Sequence, residues 1–209
     1  MTSGTVTSMR EQIKQLTKDL LVRHGYAGFR FHDVAEQLGV TRASIHYHFA
    51  SKQNLCEETI VEAVVSSSKL YAQLLIGGDL SFADRVRAIM KMNRERYLHY
   101  NPTGKTSNPW ALISRMRLEQ HELTEPVRVE LANFRANLER DIVASVKVAI
   151  GRGELVATTP ARKVALLLIS IINSSDPTTR DTSSYKRMED LFLAYIEVVS
   201  TAYGSADER

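Results

Sequence analysis

An all-α fold is predicted for this 209-residue chain by three features of its sequence. Apolar residues recur at helical spacing, period-two alternation is nowhere sustained, and no proline occurs before Pro102. Ser8 followed by Glu11 forms a capping box, so a helix is expected to start there and to carry the stripe Ile13, Leu16, Leu20 and Leu21. Gly25 supplies its stop. Two very short helices are expected at about 32–38 and 42–48. Ser51 caps a long one with Leu55, Ile60, Val64 and Leu70 on one stripe, which reaches Ile76 and ends at Gly77-Gly78. Further helices are expected at about 82–100, 108–121, 125–151, 160–173 and 184–203. Pro126 and Pro160 suit helix starts, where a missing amide hydrogen costs nothing. The five prolines are all expected outside helix interiors, with polar loops at 101–108 and 174–183.

Composition narrows the function classes. With 44% hydrophobic residues, the chain can bury a core without metal or disulfide staples, and a single cysteine, Cys56, excludes an intramolecular disulfide. The first residues lack the apolar stretch of a secretion signal. The longest largely apolar stretch, around residues 164–172, is far below the roughly 20 residues a membrane helix needs. A soluble cytoplasmic protein with no membrane partner and no cofactor is expected. Charge is uneven. Residues 1–52 hold seven basic and four acidic side chains, the whole net charge of +3, together with four of the six histidines. A basic module at 1–52 ahead of a neutral body at 53–209 points to a polyanion partner for the module.

Residues 31–49 read FHDVAEQLGVTRASIHYHF. Val34, Ala35 and Leu38 give the first short helix an apolar face, and Gly39 can end it in the left-handed conformation. Thr41 caps the second, which buries Ile45 and Phe49, while small Ala35 lets two steeply crossing helices approach. This is a helix-turn-helix, whose second helix enters the major groove of DNA.

The first 55 residues resemble the tetracycline-repressor (TetR) family of ligand-responsive bacterial regulators. The resemblance lies in Gly25-Tyr26, Asp33-Val34-Ala35, Leu38-Gly39-Val40-Thr41, and above all Ser44-Ile45-His46-Tyr47-His48-Phe49 followed by Ser51-Lys52 and Leu55. Further on, Gly151-Arg152-Gly153-Glu154-Leu155 before a proline-started helix is similar to the same family. The resemblance implies that Arg42, Ala43, Ser44 and His46 face base edges. It also implies that Ser44, Tyr47, His48 and Lys52 grip phosphates. One departure stands out. Where the family usually places Ser or Thr before the first short helix, this chain has Phe29-Arg30-Phe31-His32, so Arg30 is expected to replace that phosphate contact by direct charge and His32 to reach a phosphate or a base.

For the body, the resemblance implies a homodimer on a palindromic operator and a small-molecule effector among the central helices. Tyr71 and Met90 lie on those helices, and Tyr97, Trp110, Met116 and Phe134 are the candidate ligand contacts. Leu167, Ile171, Phe192, Ile196 and Val199 are the candidate dimer contacts. The expected function is a ligand-responsive repressor. The alternatives are a DNA-bound adaptor without an effector and a helical enzyme. His46 and His48 diverge by ~200° on a helix and make no metal pair. Gly104-Lys105-Thr106 lacks the rest of a phosphate loop, and no nucleophile elbow is present. Cys56, at a helix start but beside Glu57 and Glu58, is read as a buried filler rather than a redox switch.

Overall fold

The computed structural model describes residues 8–205, which form nine α-helices and one short 3₁₀ turn at Gln120–Glu122. The helices are α1 (Met9–Gly28), α2 (Phe31–Leu38), α3 (Arg42–His48), α4 (Lys52–Ile76), α5 (Phe82–Tyr100), α6 (Leu112–Leu118), α7 (Glu125–Gly151), α8 (Ala161–Thr182) and α9 (Lys186–Tyr203). Among the described residues no helix is long and apolar enough to cross a membrane. The chain divides into two compact units. One holds residues through Val65 together with Leu112–Leu131, and the other holds Ser66–Ala111 and Ala132 onward.

In the first unit, caps set the helix starts where the sequence places them. Ser8 accepts the Glu11 amide, Thr41 the Ser44 amide at 3.1 Å, and Ser51 the Asn54 amide at 3.1 Å. The other half of the expected capping box is absent. The Glu11 carboxylate turns to Lys14 instead, 2.7 Å away. Lys14 is nearly buried and also faces Glu58 and Glu62 on α4. Burial works against its charge, yet bonds to Glu11 and Glu62 hold its ammonium above the ordinary lysine range.

Gly25 is a kink rather than a plain stop. Its φ of 75° and ψ of 177° are open essentially to glycine alone. The break leaves the amides of Tyr26 and Ala27 without helical partners. Glu119, just past α6, accepts both, at 2.7 and 3.1 Å. Arg115 pairs with that carboxylate at 2.9 Å and donates to the His24 carbonyl. A β-carbon at Gly25 would run into both side chains.

In the second unit, Arg85 is buried on α5 and ties off the end of α4. Its guanidinium donates to the carbonyls of Leu74, Gly77, Gly78 and Leu80. Glu154 accepts the Phe82 amide at the start of α5 at 2.7 Å. Two expectations fail in this unit. Residues 174–183 are not a loop, because α8 continues to Thr182 with Pro177 inside it. Side chains on either side of the proline tie this stretch to the segment before α6. Thr179 donates to the Ser175 carbonyl and receives the Trp110 indole at 2.8 Å, and Asp176 accepts the amides of Trp110 and Ala111. The same bonds explain the second failure. Residues 108–111 stay outside the helix, with the Trp110 and Ala111 amides held by Asp176 and that of Asn108 by Asn101, so α6 starts only at Leu112.

The two left-handed glycines of the first unit should respond differently to alanine. Gly39 has open space around its α-carbon, so Gly39→Ala should cost about 1 kcal/mol. Gly25→Ala should cost about 3 kcal/mol, from backbone strain plus the displaced Glu119 bonds. Urea denaturation midpoints measure both, and equal shifts would remove the Glu119 contact from the account.

Candidate nucleic-acid interface

The α2–α3 turn follows from three residues. Gly39 adopts φ 64°, ψ 30°, and the Val40 amide closes back on the Ala35 carbonyl at 3.0 Å. Thr41 then caps α3. With Val34, Ala35, Ile45 and Phe49 buried, one side of the turn is anchored in the core. The other side of α3 is left to solvent. Arg42, Ala43, His46 and Tyr47 fall at positions i, i+1, i+4 and i+5 and are all exposed, Tyr47 at 86%.

The remaining candidates take distinct places. Ser44 and His48 are half-buried, and the His48 ring meets Tyr47 edge-on at 5.2 Å. His46 packs against the Phe31 ring at 5.0 Å and keeps its polar edge accessible. Arg30 caps α2 without any side-chain bond and is exposed, consistent with the missing hydroxyl at this point. His32 is exposed, 3.8 Å from Glu36. Lys52 starts α4, where its ammonium lies 5.0 Å from the Tyr26 ring centre and 5.9 Å from that of Phe29. Tyr26 was not among the candidates. Arg10 was also missed, and it holds the far end of α3: it donates to the His48 carbonyl at 2.7 Å and pairs with Glu58. A basic residue in the first turn of a capped helix gave no sign of a partner 38 positions away.

The ligand candidates are core residues. In the second unit Tyr97 and Trp110 meet at 6.3 Å, and Tyr185, not foreseen, touches both. Burial raises the Tyr185 phenol far above its ordinary range, so it remains a neutral donor to the Met90 carbonyl. Phe134 packs on Tyr71, whose hydroxyl donates to Asn93 at 3.2 Å. Asn93 is 2% exposed, and its Nδ2 has no partner among the described residues. Met116 is buried in the first unit.

The dimer candidates divide. Leu167 is 56% exposed and Ile171 half-buried, whereas Phe192, Ile196 and Val199 are buried within the single chain. Ile196 and Val199 line a 240 Å³ recess with Phe82 and Leu155. The outward apolar residues of these helices are Leu166 and Leu167 on α8, and Leu191, Leu193 and Val198 on α9.

Residues 14–59 match the family of bacterial regulatory proteins described as the tetR family. The match spans the helix-turn-helix and parts of the helices on either side of it. Solved structures extend the likeness to the whole fold. A TetR-family transcriptional regulator from Agrobacterium tumefaciens superposes with a TM-score of 0.78 at 21% identity, covering 91% of this chain and 96% of its own. A TetR regulator from Legionella pneumophila gives 0.75 at 17% identity, covering 94% and 100%. A putative transcriptional regulator from Saccharomonospora viridis, solved with choline, gives 0.67 at 20% identity, covering 90% and 95%. No curated protein matches the chain by sequence. The chain thus has the TetR-regulator fold, and its α1–α4 segment supplies the helix-turn-helix.

Cys56 sits in the core of the TetR module, fully buried, and burial pushes its thiol up to about 12 against a small opposing pull from Lys52. At pH 8 only about one thiol in ten thousand is then ionised, and none is accessible. An aromatic disulfide reagent should therefore leave the native protein unmodified over an hour and react with one thiol per chain in denaturant. Stoichiometric reaction with the native protein would return Cys56 to the list of redox candidates.

Proposed function

We propose that this protein is a cytoplasmic transcriptional regulator, acting as a repressor without catalysis, that binds a palindromic operator as a homodimer. The observation that carries the reading is the division of α3, with Ile45 buried and Arg42, Ala43, His46 and Tyr47 exposed on one turn. Arg42 can present two donors to guanine O6 and N7, and Ala43 can pack on a thymine methyl. Arg30, His32, Ser44, Tyr47, His48 and Lys52 would hold the sugar-phosphate backbone around them. An operator with two half-sites then requires two copies, related by a two-fold axis.

For the seam between copies we propose the outward face of α8 and α9, built on Leu167 and Ile171 with Leu191 and Val198, which follow one another on a single stripe of α9. Five exposed leucine and valine side chains on two neighbouring helices support an apolar partner there. A small-molecule effector among the central helices of the second unit, close to Tyr97, Trp110 and Phe134, completes the reading. The unpartnered Asn93 amide supports it, since a buried donor calls for an acceptor. Such a ligand acts by binding one conformation better than another, which changes whether two recognition helices match successive major grooves.

Arg42→Lys should lose about 1–3 kcal/mol on the cognate operator and almost nothing on random duplex, because lysine keeps the charge and loses the planar fork. The operator is first obtained by selection from random duplexes, and paired titrations at one salt concentration measure the difference. Equal losses on both duplexes would show that Arg42 holds the backbone and reads nothing. Leu167→Asp should give a folded monomer with weak operator binding, whereas a variant that still sediments as a dimer would move the seam elsewhere.

A further inference from the structure

We infer that Arg10 is a positioning residue for DNA reading: it fixes the tilt of α3 from the helix's C-terminal end. The inference rests on the DNA-binding reading above. A seven-residue helix has few internal bonds, and its last carbonyls have no partner within it. Arg10 supplies one. Its Nη1 donates to the carbonyl of His48, the last residue of α3, at 2.7 Å. Its Nη2 pairs with Glu58 on α4. The guanidinium centre lies 4.1 Å from the ring centre of Phe49, the residue that follows α3. One planar group therefore joins α1, the end of α3, the next residue and α4.

This arrangement does two things that a surface ion pair does not. It places a cation at the negative end of the α3 dipole, and it ties that end to two neighbouring helices at once. Thr41 holds the other end of α3. The helix is about 10 Å long, so a shift of about 2 Å at its tail turns its axis by about 10°. Bidentate recognition of a base tolerates little more than that. A lysine cannot reproduce the bracket, because one ammonium cannot meet the carbonyl and the carboxylate in plane while lying flat on the ring. Both terminal nitrogens of Arg10 already have partners inside the protein, which sets it apart from residues such as Arg42 that face solvent.

The experiment compares wild type, Arg10→Ala, Arg10→Lys and Glu58→Gln on the selected operator and on a scrambled duplex, each at several salt concentrations. Arg10→Ala should lose about tenfold or more on the operator and less than about twofold on the scrambled duplex, with an unchanged salt slope on the latter. Arg10→Lys and Glu58→Gln should show smaller losses of the same selective kind. Parallel losses on both duplexes, with a slope flatter by about one, would make Arg10 a phosphate contact and overturn the inference. A lowered denaturation midpoint with an unchanged operator-to-scrambled ratio would make it a stabilising ion pair and overturn it equally. If Arg10→Ala does not fold, the other two variants decide by the same ratio. Failure of the wild-type protein to bind duplex or to select any sequence would instead overturn the DNA-binding reading itself.

Discussion

The Glu119 carboxylate receives the two amides that the Gly25 kink deprives of helical partners, and the same constraint recurs at several helix ends among the described residues. Nine helices leave many terminal amides and carbonyls without internal partners, and a compact fold cannot give all of them water. Charged side chains from distant positions meet them. Asp176 takes the amides before α6, Glu154 takes the first amide of α5, Arg85 collects carbonyls at and just past the end of α4, and Arg10 takes the last one of α3. Acids stand at helix starts and arginines at helix ends, as the helix dipole favours. Short helices can therefore be held at defined angles without long packed faces.

This use of charge bears on how the basic module is understood. Its net charge of +3 does not translate into seven available cations. Arg10 and Lys14 are engaged with Glu58, Glu62 and Glu11 inside the unit, and Lys52 rests over aromatic rings. Arg30 and Arg42 remain exposed at the starts of α2 and α3. A polyanion then meets fewer free cations than the charge count suggests, Arg30 and Arg42 among them.

The helix-turn-helix was legible because its signals are local. Gly39, Thr41 and Ser51 act within three or four residues of themselves, and the alternation of buried and exposed positions on α3 follows from helical period alone. What escaped was non-local. Pro177 reads as a breaker until Thr179 and Asp176 are seen holding Trp110, nearly seventy positions away. Phe192, Ile196 and Val199 form a proper apolar stripe, and period alone cannot tell a stripe facing its own core from one facing a second chain. Tyr97 and Phe134 fall on the helices expected for them and Trp110 does not, and their packing on Tyr185 and Tyr71 depends on how α4, α5, α7 and the start of α9 come together.

Cys56 lends this protein to a different kind of measurement. As the chain's lone thiol, sealed among apolar neighbours, it leaves the native surface silent toward maleimides. A cysteine introduced at exposed Gln37 on α2 becomes the single site that a fluorophore or spin label finds, with no background substitution needed. If two copies share one duplex as proposed, such labels would report the separation of their helix-turn-helix modules directly, as a distance.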